Sequence, residues 1–483
     1  MTLELADPAL LRTQALVGGA WSGDGVDAIR DPATGATIAR VPRLGAAETV
    51  RAVDAARAAF GPWSKRLAKE RALVMRRWAA LVESHANDLA RILTAEQGKP
   101  LAESRGEVLS AAAYIDFYAD EARRVRGETI LPHRADARIL VNYQPIGVVA
   151  AITPWNFPAG MVARKVAPAL AAGCTVVLKP APETPLTALA LAELGVRAGL
   201  PAGTLNVVTG DAEKIGDVFC EHPDVRFIGF TGSTAVGKLL MRKAAAGVKK
   251  LGLELGGHAP FIVLDDADLD AAVEGAMAAK YRNMGQTCIG ANRFWVHERL
   301  HDAFLAGLAA AVGRLVLGPG TQPSVTQGPL INVHALEKVE RHVANAVTHG
   351  ATVVCGGRRH ALGGTWYEPT ILDGVTDDMA IAREETFGPV APVTRFAGDV
   401  EDVVARANAS PYGLAAYVYG RDIGRVVRVT EGLEYGMVAV NAVALGAEVA
   451  PIGGFKESGL GREGSHHGIL EYCEMKYVLL GGI

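Results

Sequence analysis

The chain has 483 residues, about half of them hydrophobic, with 55 glycines and 49 basic against 52 acidic residues for a net charge of −3. This is the composition of a folded globular protein of two or three domains, and it excludes a disordered or fibrous chain. The charges are interspersed, so no basic stripe offers itself to a phosphate backbone and nucleic acid is excluded as a partner.

The first residues, "MTLELADPALLRTQAL", carry acids where a signal peptide needs bases. The longest nearly apolar run, Val166 to Leu178, is broken by Pro168 and Gly173 and is too short to cross a bilayer. A cytoplasmic protein without membrane contact is expected. Cys174, Cys220, Cys288, Cys355 and Cys473 are few, odd in number and far apart, with no CxxC pair. Neither a disulfide framework nor a metal site is expected.

In chain order, apolar residues at three- and four-residue spacing predict two helices over 46–97, the second ended by Gly98 and Pro100. Residues 118–142 are polar. From about 138 to 256, strands such as "IGVVAAITP", "CTVVLKP", "VRFIGFTG" and "KKLGLELGG" alternate with helices such as "PAGMVARKVAPALAAG" and "TPLTALALAELGVRAG". The strands are continuous apolar runs, as a parallel sheet covered on both faces requires. A second α/β series follows, from "APFIVLDD" to "PVAPVTRF" and "DVEDVVARANA". The C-terminal "GFKESGLGREGSHHGILEYCEMKYVLL" ends in a strand with no evident partner, which suggests an arm pairing outside its own domain.

Two motifs invite a phosphate reading. "GLGREG" at Gly459–Gly464 matches GxGxxG but lacks the flanking strand and helix, and reads better as a flexible Gly-rich linker. "GSTAVGK" at Gly232–Lys238 nearly spells a P-loop, but Leu239 stands where a magnesium-holding Ser or Thr is needed. Its backbone N–H groups, at a helix start, can still receive a dinucleotide pyrophosphate.

Other short stretches carry chemistry-bearing residues. Cys288 lies in "NMGQTCIGAN", among glycines and polar residues rather than the apolar neighbours of a packing cysteine. Two prolines hold Asn156 in "TPWNFP", where an amide can donate to a developing oxyanion. Glu254 sits between leucines in "LELGG", and apolar surroundings raise a carboxyl pKa toward general-base use. Lys179 ends a strand in "LKP", at the sheet edge where α/β folds bind ligands. Glu384 and Glu385 precede a turn in "EETFGP", as solvated acids or ribose acceptors.

Six of these stretches, "PWNFP", "LKPAPETP", "FTGSTAVG", "LELGGHAPFIV", "GQTC" and "EETFGP", stand in an order and spacing that resembles the aldehyde dehydrogenase superfamily over essentially the whole chain. "GKPLAESRGEV", "YRNMGQTC" and "EVAPIGGFKESGLGREGS" are similar to the bacterial succinate-semialdehyde dehydrogenases within it. The resemblance implies a Rossmann-type dinucleotide-binding domain at 1–117 and 143–255, a catalytic α/β domain at 256–447 and an oligomerisation arm at 118–142 and 448–483. It implies Cys288 as the nucleophile, Asn156 and the Cys288 N–H as oxyanion donors, and Glu254 as the base that hydrolyses a thioester, with Lys179 alongside. Cofactor contacts are implied at Thr153, Pro154, Trp155, Lys179, Pro180, Pro182, Gly210, Phe230, Thr231, Gly232, Ser233, Leu255, Glu385 and Phe387. A homodimer or homotetramer and a metal-free reaction go with it.

The chain departs from that pattern in places. Pro182 stands where NAD-preferring members carry Glu, which removes a repulsion against a 2′-phosphate and favours NADP over NAD, although the Ser of many NADP users is missing too. Arg164 and Arg282 match the arginines that hold the acid end of a small-molecule semialdehyde substrate. Gly446 replaces a Ser there, which weakens the grip on succinate semialdehyde or makes room for glutarate semialdehyde. Gly290 removes a second cysteine found in many members. His258, where Asn is common, has no role in this reading.

Overall fold

The computed structural model describes residues 3–483; Met1 and Thr2, the start of the first expected domain, lie outside the described residues. The first sheet has eight strands, in the spatial order Ala20–Ser22, Ala15–Val17, Leu205–Val207, Thr175–Lys179, Val148–Ile152, Val225–Thr231, Lys250–Glu254 and Gly459–Leu460. The five from Leu205–Val207 to Lys250–Glu254 are parallel. Helices cover both faces, so Val149, Val176, Val177 and Ile228 are wholly buried.

The chain leaves Val148–Ile152 in one direction, through Thr175–Lys179 and Leu205–Val207, and returns on its other side with Val225–Thr231 and Lys250–Glu254. Ligands of α/β sheets bind beyond the carboxyl ends of the strands at such a reversal. Those ends carry "TPWNFP", Gly232–Ser233 and Glu254. The second sheet runs Thr352–Cys355, Thr370–Asp373, Val390–Phe396, Ala291–His297, Ala259–Val263, Ala415–Tyr419 and Met437–Val440, all parallel except the first. Leu255–His258 passes straight from one sheet to the other, so the carboxyl edge of the first meets the amino edge of the second. Cys288 lies in the loop that enters Ala291–His297 at this junction.

Several expectations are corrected. The two helices expected over 46–97 are three, Ala46–Ser64, Ala68–Ser84 and Ala86–Gln97, because His85 leaves helical geometry and its Nδ1 bonds the Leu81 carbonyl at 2.8 Å. A fourth helix, Leu101–Glu121, runs across the expected boundary at 117, and the strand Ala137–Pro145 runs across that at 142. The "flexible linker" at Gly459–Gly464 is not one. Gly459 and Leu460 pair antiparallel with Leu253 and Glu254, and a Cβ on Gly459 would sit 2.1 Å from the Leu253 carbonyl oxygen. The orphan C-terminal strand, Cys473–Gly481, has its partner within the chain: it pairs along its length with Ala137–Pro145, whose other edge holds Glu128–Ile130. The two halves of the expected arm thus form one three-stranded sheet, with Leu131, Met475, Tyr477 and Leu479 exposed on or beside it. No helix of the described residues is long and apolar enough to cross a membrane.

Candidate active site

Two cavities share the wall that carries Cys288, Met161 and Thr231. The first, with about 780 Å³ of empty volume, is lined by Glu254, Arg164, Arg282 and Gly446. The second, with about 1020 Å³, is lined by Pro154, Trp155, Asn156, Gly232, Ser233, Leu255, Glu385 and Phe387. Residues scattered over nearly three hundred positions are brought together because both sheets aim their connecting loops at one junction. Thr153, Lys179, Pro180, Gly210 and Phe230 line neither cavity. Pro182 lines a third, beside Glu183 and Glu96.

Cys288 is half-buried on the shared wall. Burial, with Glu385 and Glu254 nearby, pushes its thiol up to about 12, while Arg164 pulls the other way. Burial and two carboxylates disfavour the thiolate more than one arginine favours it. The loop itself is tight. Asn283, Met284 and Gly285 all have left-handed backbones, and a Cβ on Gly285 would sit 2.2 Å from the Gly388 carbonyl oxygen. Gly257 passes so close below that a Cβ there would lie 2.3 Å from the Cys288 carbonyl oxygen.

Asn156 is buried and donates from Nδ2 to the Gln286 carbonyl at 3.0 Å, two residues before Cys288. An amide has two N–H bonds, so one anchors the side chain and one is left for a ligand. Glu254 is buried at the end of its strand. Burial, and then repulsion from Glu463, raise its pKa well above the usual carboxylate range, against Lys165 and Arg164. Glu463 itself accepts from Lys165 at 2.5 Å.

On the other side of Cys288, Glu385 accepts the Gly257 N–H at 3.0 Å, and burial raises it to about 7 against Lys338 and Lys280. His342 holds both neighbours of Glu385, with Glu384 at 3.1 Å and Thr386 at 3.1 Å. Phe387, itself left-handed at φ 55°, stands edge-on to Trp155 with ring centroids 5.6 Å apart. His258 now has a place: its Nε2 bonds the Ala382 carbonyl at 2.9 Å and so ties down the turn leading to Glu385, and burial keeps the ring neutral. The near P-loop Lys238 pairs with Glu457 at 2.7 Å at the surface and does not line the cleft.

At the far end of the first cavity, Arg164 lies 5.1 Å from the Tyr114 ring centroid and Arg282 lies 5.0 Å from that of Phe157. Among the described residues, neither guanidinium is paired with a carboxylate, whereas Arg12, Arg76, Arg197 and Arg359 are. A Cβ on Gly446 would meet Arg164 Nη2 at 3.4 Å, an ordinary contact, so nothing steric demands glycine there.

The aldehyde dehydrogenase family model matches residues 22–478. The chain belongs to the aldehyde dehydrogenase family. It is 57% identical over 484 residues to a 3-sulfolactaldehyde dehydrogenase of Pseudomonas putida, covering 100% of this chain and 99% of that one. It is 53% identical to the NADP(+) succinate-semialdehyde dehydrogenase of Escherichia coli, over 99% of this chain and 100% of the relative. The crystal structure of succinate-semialdehyde dehydrogenase from Burkholderia pseudomallei superposes with a TM-score of 0.98 at 57% identity, covering 99% of this chain and 100% of that one. The protein is therefore an oxidoreductase acting on small-molecule aldehydes with NAD(P)⁺.

As an aldehyde dehydrogenase it contains residues that sequence reasoning passed over. Glu107, Ser110 and Glu463 line the substrate-side cavity, and Lys338 the cofactor-side cleft. Lys338 comes from the helix Val333–Thr348, within a stretch to which no element was assigned. Glu183 and Asp211 are the carboxylates that act on Lys179, whose Nζ donates to the Pro180 carbonyl at 3.3 Å; burial lowers the lysine's pKa, and Glu183 and then Asp211 oppose this. A sequence search for a carboxylate three residues after the lysine stops at Pro182, one short of Glu183.

Proposed function

We propose that this enzyme oxidises a short aldehyde bearing an acid group at its other end, succinate semialdehyde first, to the corresponding diacid. The observation that carries this reading is the pair of unpaired arginines, Arg164 and Arg282, on the cavity that also holds Cys288 and Glu254. Guanidinium forks match carboxylates two bonds at a time, so two guanidiniums without a carboxylate partner on one cavity, Arg164 half-buried and Arg282 exposed, suit an acid group on the ligand. Gly446 favours a second reading, glutarate semialdehyde, because it leaves space beside Arg164 for a longer chain.

In the mechanism we assign, the Cys288 thiol gives up its proton to solvent and the thiolate adds to the aldehyde carbon. The resulting oxyanion takes the free N–H of the Asn156 amide and the Cys288 backbone N–H. NAD(P)⁺, which Trp155, Gly232, Ser233, Glu385 and Phe387 would hold in the adjoining cleft, would supply the hydride acceptor, and loss of hydride from the hemithioacetal carbon would leave a thioester on Cys288. Glu254 then removes a proton from water, which attacks the thioester carbon; Cys288 leaves as thiolate and the acid is released.

The cofactor cleft fits a dinucleotide. Trp155 and Phe387 wall one end, Glu385 faces the cleft, and Gly232 and Ser233 open the helix Thr234–Ala244 toward it. Lys179, Thr153, Pro180, Gly210 and Phe230 are assigned to support that cleft from behind. We favour NADP because position 182 has no carboxylate, with Glu183 beside Lys179 as the group that limits this preference. Residues up to 121 and from 146 to 255 are assigned to cofactor binding, 256–447 to catalysis, and the three-stranded arm with its exposed apolar residues to a homodimer or homotetramer. A cytoplasmic location suits five unpaired cysteines among the described residues.

Replacing Arg164 and Arg282 together with Met is expected to lower kcat/KM for succinate semialdehyde by about 10²-fold or more, at roughly 1.5–3 kcal/mol for each charge-assisted contact. Butanal, which has no acid end, should keep its kcat/KM. An equal loss for both aldehydes, measured by initial rates of cofactor reduction, contradicts the carboxylate site.

A further inference from the structure

We infer that Lys99 is a positioning residue for the oxyanion donor: its ammonium, held between the Glu107 carboxylate and the Asn156 backbone carbonyl, fixes the Asn156 amide against the Cys288 loop. The inference rests on the proposed role of Asn156. Lys99 lies in the short connection between the helices Ala86–Gln97 and Leu101–Glu121, and its side chain is wholly buried. It donates to Glu107 Oε2 at 2.5 Å and to the Asn156 carbonyl oxygen at 2.7 Å, and it sits 3.9 Å from the Phe157 ring centroid.

The other atoms of this cluster serve the same end. Glu107 Oε1 accepts the Ala159 N–H at 2.8 Å and the Gly160 N–H at 3.1 Å, capping the helix Pro158–Ala172 that begins two residues after Asn156. Asn283 Nδ2 adds a second bond to the Asn156 carbonyl at 3.1 Å, and Gln97 Nε2 holds Asn283 Oδ1 at 3.0 Å. The backbone of Asn156 is thus gripped on both sides while its side chain reaches Gln286 in the Cys288 loop. A buried ion pair is a poor way to gain stability, since apolar residues of similar size commonly do as well or better. What the pair does supply here is direction. An oxyanion donor must be held to within a fraction of an ångström, and a displacement of about 1 Å can cost ~10²-fold in rate.

The test is a double-mutant cycle on the full-length enzyme with succinate semialdehyde and NADP⁺. Asn156→Ala is expected to lower kcat by about 10²–10³-fold. Lys99→Met should lower kcat by about 10–10²-fold with little change in KM for either substrate. In the Asn156→Ala background it should cost no further activity. Lys99→Met combined with Glu107→Gln removes both charges, keeps an amide oxygen in place to cap the helix, and provides the same cycle if the single variant does not fold. Independent, multiplying losses overturn the positioning role while leaving Asn156 as donor. An Asn156→Ala enzyme with full kcat overturns the oxyanion assignment and the inference with it.

Discussion

Replacing Cys288 with Ala is expected to lower kcat by on the order of 10⁴-fold or more, about 5.5 kcal/mol of lost transition-state stabilisation. No other thiol can substitute. Cys174 and Cys473 are buried beside Arg71, and Cys220 and Cys355 lie on neither cavity. The loss should be chemical rather than structural, because the side chain sits half-buried on a cavity wall and its removal leaves no closed void. Cofactor binding and melting temperature should therefore stay near those of the wild type. Cys288→Ser should fail almost as badly, since a hydroxyl is far harder to ionise and this site already resists ionisation of a thiol. An Ala variant within tenfold of wild-type kcat would sink the nucleophile assignment.

The second large effect separates the two halves of the reaction. Glu254→Gln should still reduce about one equivalent of cofactor per active site, and then stall with acid bound to Cys288 as the thioester. Steady-state turnover should fall by about 10²–10⁴-fold, the range of a lost general base. Gln preserves the size and polarity of a side chain that lies at the end of a sheet strand. The pH dependence should change in a defined direction. Burial and Glu463 hold the Glu254 carboxyl high, so it is protonated on the acid side and acts as a base only above its raised pKa. Wild-type hydrolysis of the thioester should therefore fall as pH is lowered through that pKa, and the residual rate of the Gln variant should not follow the same curve. Rapid-mixing absorbance of the reduced cofactor, with mass spectrometry of the stalled enzyme, reads both. A variant without a burst would place Glu254 before hydride transfer instead.

How far the sequence could be read depended on whether a residue's setting was local. The parallel strands announced themselves as apolar runs between helices, and the residues at their carboxyl ends could be placed on the sheet edge by topology alone. Asn156 between two prolines, Glu254 between leucines and Cys288 among glycines were unusual enough in their own few residues to be singled out. Lys99 and Glu107 were not. Each looks like an ordinary charge near a helix start, and only the packing of Leu101–Glu121 against Pro158–Ala172 shows that both are buried. The left-handed turn at Asn283 and Met284 was hidden for a related reason: non-glycine residues carry no local sign that tertiary bonds hold them there. The same holds for Gly459, whose flexible-looking surroundings are in fact a strand on a sheet edge. Conversely, Lys179 had a persuasive local position at a strand end, yet it does not line the two cavities that meet at Cys288.

The central claim, that one cavity joins a thiol to a site for a distant acid group, is tested most directly by initial rates of the wild-type enzyme. Succinate semialdehyde, glutarate semialdehyde and butanal would each be offered with NADP⁺ and with NAD⁺. The account predicts that the acids exceed butanal in kcat/KM by tenfold or more, about 1.4 kcal/mol, with their mutual ratio reporting the space left at Gly446. Butanal used as well as either acid would contradict it.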